Sequence, residues 1–318
     1  VTGFILRRFL IAIPTALGVS VVVFLLMSLM GNDPVTALLG PDTTEQERTQ
    51  KRIELGLDQP LPVQYLRWLS HAVQGDFGQS FVTRRDVATE VFRRLPATIE
   101  LAVCTMFIAT LTAVFVALMS ARRPGGKFDT GARTVIFVFL AMPSFWLGIE
   151  LIILGSRTLG WFPPSGRGSG SLASHISHLV LPALTLGVGT GASLSRILRA
   201  SLLEVLNSDY IRTARAKGLN NRVVLMRHAL RNALIPFLTL SGLTVAALLE
   251  GSVIVETVFA WPGVGSLMVE AVRGGDRPVA MAGVVLVSLI YIAVNLIVDI
   301  LYGVVDPRIR AGQTSGGH

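Results

Sequence analysis

Residues Asp209–Pro236, DYIRTARAKGLNNRVVLMRHALRNALIP, carry six Lys/Arg against one acid and lie between two long apolar runs. The stretch has the punctuation of a helix–turn–helix hairpin. Asp209 suits the N-cap of a short helix that ends near Lys217, and Gly218 suits the left-handed position that stops it. Asn220 or Asn221 suits the cap of a second helix, which runs into the following apolar segment at Pro236. A folded, basic loop between two apolar runs is a surface made for another protein.

Working outward, the apolar runs decide the fold class. The chain has 318 residues, 51% apolar and only 15% charged. A soluble domain carries about 25% charged residues, so a polytopic membrane protein is the expectation. A bilayer needs about 20 apolar residues per helical crossing. Runs of that kind fall at Phe9–Met30, Leu101–Ala121, Thr134–Leu154 (bent at Pro143), Leu179–Ser195, Ala233–Val255 and Pro278–Val298. The sequence thus predicts an all-α protein with six transmembrane helices. Phe9–Met30 is too long for the core of a signal peptide, so it is expected to remain as an anchor.

The formal charge of +8 does not point to nucleic acid, because the basic residues alternate between loops. Arg7 and Arg8, then Arg122, Arg123, Lys127 and Arg133, then the Arg196–Arg231 loop, then Arg308 and Arg310 all fall on one side. By the positive-inside rule that side is cytoplasmic, and with it both termini and the basic hairpin.

Four segments follow from this layout: 1–30, the cytoplasmic N-terminus and first span; 31–98, an outer segment; 99–305, a core of five spans with the cytoplasmic loop 200–232; and 306–318, a cytoplasmic tail. The outer segment is too long for plain loop. Glu45–Leu55 and Pro62–Val73 read as amphipathic helices and Gly75–Ser80 as a turn, with Pro96 in the first turn of the second span. The segment is either a small folded cap or a docking surface. Ala260–Gly265 (AWPGVG) reads as a re-entrant or interfacial turn anchored by Trp261.

Chemistry-bearing patterns are sparse. Cys104 is the lone cysteine and sits in an apolar run. His175 and His178 share a helical face but have no nearby acid or cysteine, so they read as solvated rather than as metal ligands. Gly125-Gly126-Lys127-Phe128 fails as a phosphate loop at the hydroxyl position. No cofactor or metal is expected on the chain, and no catalytic residue. Ionisable residues within spans are costly and draw attention. Glu100, Glu150, Glu250 and Glu256 fall near the outer ends of spans, where they either snorkel or line the mouth of a pathway. If they line it, Glu150→Gln combined with Glu250→Gln cuts uptake while assembly is unchanged; unaltered uptake removes that idea.

Several stretches resemble the transmembrane permease subunits of bacterial ABC importers, in the dipeptide/oligopeptide (nickel) group and its B-type subunit. They are Ile5–Pro14 (ILRRFLIAIP), Gly75–Phe81 (GDFGQSF), Leu95–Ala102 (LPATIELA), Ala141–Leu147 (AMPSFWL), Leu181–Gly187 (LPALTLG) and Val255–Gly265 (VETVFAWPGVG). Arg212–Leu219 (RTARAKGL), His228–Pro236 (HALRNALIP) and Val305–Arg310 (VDPRIR) complete the ordered set. Arg212 stands where the broader family pattern has glutamate. The resemblance implies a type I importer permease fold in a bacterial inner or plasma membrane, with no ATPase site of its own. It implies a heterodimeric second permease, cytoplasmic ATP-binding subunits that hold ATP and Mg2+, an extracytoplasmic binding protein and a peptide cargo. Nickel, glutathione or another small solute are the alternative cargoes, and a six-span channel or secondary carrier the remote alternative. It also implies that Asp209, Tyr210, Arg212, Thr213, Ala214, Arg215, Lys217 and Gly218 couple the chain to the ATPase.

Overall fold

The computed structural model describes residues 2–29, 34–40 and 43–305. In chain order the helices are α1 (Thr2–Leu29), α2 (Pro34–Leu39), α3 (Glu45–Glu54), α4 (Leu61–Val73), α5 (Val87–Arg122), α6 (Lys127–Ala141) and α7 (Ser144–Leu151). A π-helical turn, Ile152–Thr158, extends α7. Then come α8 (Leu172–Leu206), α9 (Asp209–Ala216), α10 (Asn221–Val223), a second π-helical turn (Val224–Ala229), α11 (Leu230–Val258), α12 (Val264–Gly274) and α13 (Arg277–Val305). The tail that begins at Asp306 lies outside the described residues.

Among the described residues, Val87–Arg122, Leu172–Leu206, Asn221–Leu248 and Arg277–Val298 are long and apolar enough to cross a membrane. The pair Lys127–Ala141 and Ser144–Thr158 makes a fifth span if counted as one, and Ile13–Leu29 is a shorter apolar helix. Length and apolarity of the described residues alone therefore give four or five spans and do not test the expected count of six. The bend at Pro143 is also far sharper than a kink: the two halves meet at 104°. Met142 and Pro143 both adopt extended backbone, with ψ of 129° and 137°. Proline drives the residue before it out of the helical region, so two residues leave the helix together and the chain turns.

The described residues form two compact units, those within 2–99 with 261–293, and those within 100–260 with 294–305. In the first, Phe24 and Met27 of α1 pack with Val87 and Val91 of α5, Leu267 of α12 and Met281 of α13. The outer-segment helices form close to where their pattern places them. Thr44 and Glu47 build a reciprocal capping box at the start of α3, and the Thr44 hydroxyl and backbone bonds hold the Glu47 carboxyl below its usual range. One expectation fails in this unit. Asp86 accepts from the Thr89 N–H at 2.7 Å and so starts α5 at Val87, which leaves Pro96 inside the helix rather than in its first turn. Trp261 is fully buried within the chain, and its indole N–H donates to the Ala97 carbonyl at 2.8 Å. The next turn is tied down by the Val264 N–H donating to Thr98 Oγ1 at 2.9 Å.

The second unit is organised around α8. On α5 the residues facing it are Ala109, Ala113, Ala117 and Ala121, all buried and spaced one helical turn apart. A ridge of methyl groups lets the backbones approach closely. A Cβ at Gly187 would stand 2.9 Å from Ile108, and one at Gly191 would stand 3.1 Å from the Ala109 carbonyl. Both glycines are therefore required by the α5–α8 contact.

Candidate functional site

At its C-terminal end α8 leads into the basic hairpin. Ser208, with extended backbone, occupies the N-cap position of α9. Asp209 is thus the first helical residue rather than the cap. Its carboxylate still stands at the positive end of the helix, 3.4 Å from Arg212. The C-terminus of α9 closes with two bonds, Gly218 N–H to the Arg215 carbonyl at 2.9 Å and Leu219 N–H to the Ala214 carbonyl at 3.3 Å. That pairing is the Schellman arrangement, which needs a left-handed residue at the position after the C-cap. Gly218 supplies it with φ of +79°. Asn220 then caps the second arm by accepting from Arg222 N–H at 3.0 Å.

The two arms are held by different faces. Inward, Ile211 and Ala214 pack with Val224, Leu225 and Ala229 onto Leu198 and Leu202 of α8. Ala214, expected among the coupling residues, is therefore an anchor of the hairpin rather than part of its free surface. Outward, Asp209, Tyr210, Arg212, Thr213, Arg215, Lys217 and Gly218 are exposed. The Tyr210 hydroxyl accepts from the Asn232 amide at 2.7 Å and bridges the arms. The result is a short rod with an apolar underside seated on α8 and a basic outer face.

A second feature that pattern reading did not find lies beside it. The Asp129 side chain is wholly buried, and Arg199 of α8 grips it with two parallel bonds of 2.6 and 2.7 Å. The Gly125 N–H adds a third at 2.8 Å. This fork-to-carboxylate geometry ties the first turn of α6 to α8. It also gives Gly125-Gly126-Lys127-Phe128 a role as a turn closed onto Asp129.

Glu100, on α5, accepts from Arg167 at 2.9 Å and meets His175 Nε2 near the N-terminal end of α8. His175 also bonds the Arg167 carbonyl through Nδ1 at 2.9 Å. His175 is thus a paired, half-buried residue and not a solvated one. Glu150 is exposed, Glu256 is fully buried, and the side chain of Glu250 lies outside the described residues. Among the described residues no group of three or more His, Cys, Asp or Glu could hold a metal.

A cavity of about 260 Å³ opens between the α6–α7 break, α8 and α11. Its walls carry four hydroxyls, Ser144, Thr185, Thr190 and Thr244, and two glycines, Gly189 and Gly251. Among the described residues that line it, none is ionisable.

Residues 113–311 match the family described as the inner membrane component of binding-protein-dependent transport systems. Residues 1–102 match the N-terminal membrane component of the same systems. The chain belongs to this family. It is 42% identical over 313 residues to the oligopeptide transport system permease protein AppB of Bacillus subtilis (strain 168), covering 97% of this chain and 99% of that protein. It is 41% identical over 331 residues to the di/tripeptide transport system permease protein DppB of Pseudomonas aeruginosa (strain UCBPP-PA14), covering 97% and 98%. The glutathione transport system permease protein GsiC of Escherichia coli (strain K12) is 41% identical over 308 residues, covering 97% and 99%. The fold resembles that of a chain from inward-facing MetNI methionine ABC transporter, with a TM-score of 0.57 at 18% identity, over 68% of this chain and 96% of that one. As an inner membrane component of a bacterial transport system, the chain places its basic hairpin, its buried ion pair and its uncharged cavity within the stretch that the longer family model spans.

Proposed function

We propose that the chain is the transmembrane permease subunit of an ATP-driven importer of di- and oligopeptides. It forms half of the translocation pathway, has no ATPase site of its own and crosses the membrane six times with both termini cytoplasmic. A second, homologous permease forms the other half. ATP and Mg2+ are held by cytoplasmic partner subunits, and an extracytoplasmic binding protein delivers the peptide. The segments 1–30, 31–98, 99–305 and 306–318 then serve as anchor, outer segment, permease core and tail. The names of the 41–42% identical relatives support the peptide reading.

The observation that carries the coupling mechanism is the hairpin: a two-turn rod anchored by Ile211 and Ala214, with a basic outer face and a closed glycine exit. Such a rod transmits a push without deforming, because its underside is packed and its end is hydrogen-bonded. Docked in a groove of the ATPase, α9 moves with nucleotide-driven closure and tilts the two helices joined to the hairpin, α8 and α11. The transporter switches between its outward- and inward-facing states because the ATPase binds the two arrangements with different affinity.

The test is reconstitution of the complex, followed by uptake of labelled di- to penta-peptides with the delivering binding protein swapped. Co-purification of an ATPase and a second permease, with ATP-dependent peptide uptake, supports the reading. A purified chain that conducts or pumps alone overturns it. Glutathione is the second reading, favoured by the GsiC relatives, and the same assay with labelled glutathione decides between them.

A further inference from the structure

Along α8 the glycines divide by face. Gly187 and Gly191 are one turn apart and meet α5 so closely that a Cβ at either would stand within about 3.1 Å of Ile108, Thr112 or the Ala109 carbonyl. Gly189 lies two residues from each, which on an α-helix is roughly 200° around the axis. It faces the opposite way, and a Cβ there would meet nothing within 4 Å. The open space is the cavity between the α6–α7 break, α8 and α11. Gly251 looks into the same space from α11, where a Cβ would find only ordinary contact, 3.8 Å from Leu186. Neither glycine has a positive φ, so neither is there for its backbone. Both leave room.

The polar groups of the cavity have a direction as well. Thr185 Oγ1 donates to the Leu181 carbonyl at 2.8 Å, and Thr244 Oγ1 donates to the Leu240 carbonyl at 2.7 Å. A hydroxyl has one hydrogen and two lone pairs. With the hydrogen committed to the helix behind it, each threonine can offer a ligand only acceptor sites. Thr185 and Thr244 therefore present acceptor sites to the cavity, in a wall whose described residues carry no charge, and the hydroxyls of Ser144 and Thr190 complete its polar lining. Its 260 Å³ corresponds to roughly nine waters at about 30 Å³ each, which is room for a short piece of extended chain and not for a folded one.

We infer that this cavity is a substrate station that reads hydrogen-bond donors, the amide N–H groups and terminal ammonium of a peptide, and that Gly189 and Gly251 set the girth of the side chains it admits. The inference rests on the peptide-import reading and gives it a selectivity rule. Backbone donors are recognised through Thr185 and Thr244, which are indifferent to sequence. Side-chain bulk is limited by the empty sector opposite the α5 contact.

The experiment measures uptake of an alanine tripeptide and a tryptophan-containing tripeptide by the reconstituted complex, normalised to the amount of assembled complex recovered. Gly189→Leu fills the open sector, and the bulky-to-small uptake ratio falls by about tenfold or more, the scale on which pockets discriminate by size. Gly189→Ala and Gly251→Ala lower the ratio by less, in the same direction, and report even if the leucine variant fails to assemble. Thr244→Val keeps the shape but removes the acceptor, and uptake of both peptides drops together; Thr244→Ser restores it. A wild-type complex that imports no peptide defeats the functional reading. A wild-type complex that imports both, beside glycine variants that keep the wild-type ratio, defeats the cavity inference and leaves the functional reading standing.

Discussion

Under the proposed coupling mechanism, Gly218 is where backbone geometry bears on transport. Its φ is +79°, and a Cβ added there would meet nothing within 4 Å. Any penalty for a side chain is therefore paid by the backbone alone. For an L-residue in the left-handed region that penalty is about 1–2 kcal/mol, with β-branched residues at the top of the range. Asparagine visits that region several-fold more readily than other non-glycine residues, so its cost is smaller. What holds α9 down is chiefly the burial of Ile211, which contributes about 1.5–3 kcal/mol. Strain from valine is comparable with that anchor, and it acts on the two closing bonds, which contribute about 0.5–1.5 kcal/mol each. Gly218→Val should therefore fray α9 while the spans stay folded. The assay is ATP hydrolysed per peptide imported in the reconstituted complex, with amide exchange of residues 209–219 as the structural readout. The expected order of coupling is Gly and Asn together, then Ala, then Val, with exchange rising in the same order. A valine variant with the wild-type ratio of hydrolysis to import refutes the reasoning. So does an asparagine variant as damaged as valine, because left-handed strain would then not be the cause.

Two further outcomes test the packing around the site. Asp129→Ala leaves the Arg199 guanidinium without its carboxylate and should cost about 3–5 kcal/mol, whereas Asp129→Leu combined with Arg199→Met should recover most of that loss in thermal unfolding of the purified complex. Trp261→Phe removes the indole N–H that donates to the Ala97 carbonyl, and a loss of about 0.5–1.5 kcal/mol for that bond is expected in the same measurement.

The hairpin was legible because its signals are local. A glycine after the last helical residue and an asparagine before the next helix act within a few residues of themselves, and both hold in the structure. The placement of Asp209 slipped by one, because Ser208 competes for the same cap. The sequence shows that Pro143 must interrupt its span. It does not show the angle, since that depends on how many residues leave the helix with it. The features that were not legible join distant positions. Asp129 and Arg199 are 70 residues apart, and Trp261 and Ala97 are 164 apart. In sequence each reads as an ordinary loop charge or an interfacial aromatic, and only the fold supplies the partner. His175 reads as solvated for the same reason, because its partner Glu100 is 75 residues away.

The cavity and the hairpin need no separate linkage, because the same helices build both. From Leu202, packed beneath the rod, to Gly189 in the cavity wall is thirteen residues of unbroken α8, or about 20 Å at 1.5 Å per residue. The proline inside α8 is Pro182, on the far side of that stretch, so a tilt imposed at the hairpin reaches Gly189 undiminished. The other arm of the hairpin continues into α11, which carries Thr244 and Gly251. The third wall is fixed differently: Arg199 grips Asp129, so α6, and with it the Met142 edge of the cavity, must follow α8. A displacement of the hairpin that moved both arms equally would carry all three walls together and leave the cavity as it was. Only a displacement that separates the arms changes its width, by drawing α11 away from α8 and α6. The Tyr210–Asn232 bond lies between those arms, and the π-helical turn Val224–Ala229 is where the second arm departs from regular geometry. Under the proposed coupling, these two features are where a relative movement of the arms would be resisted or taken up.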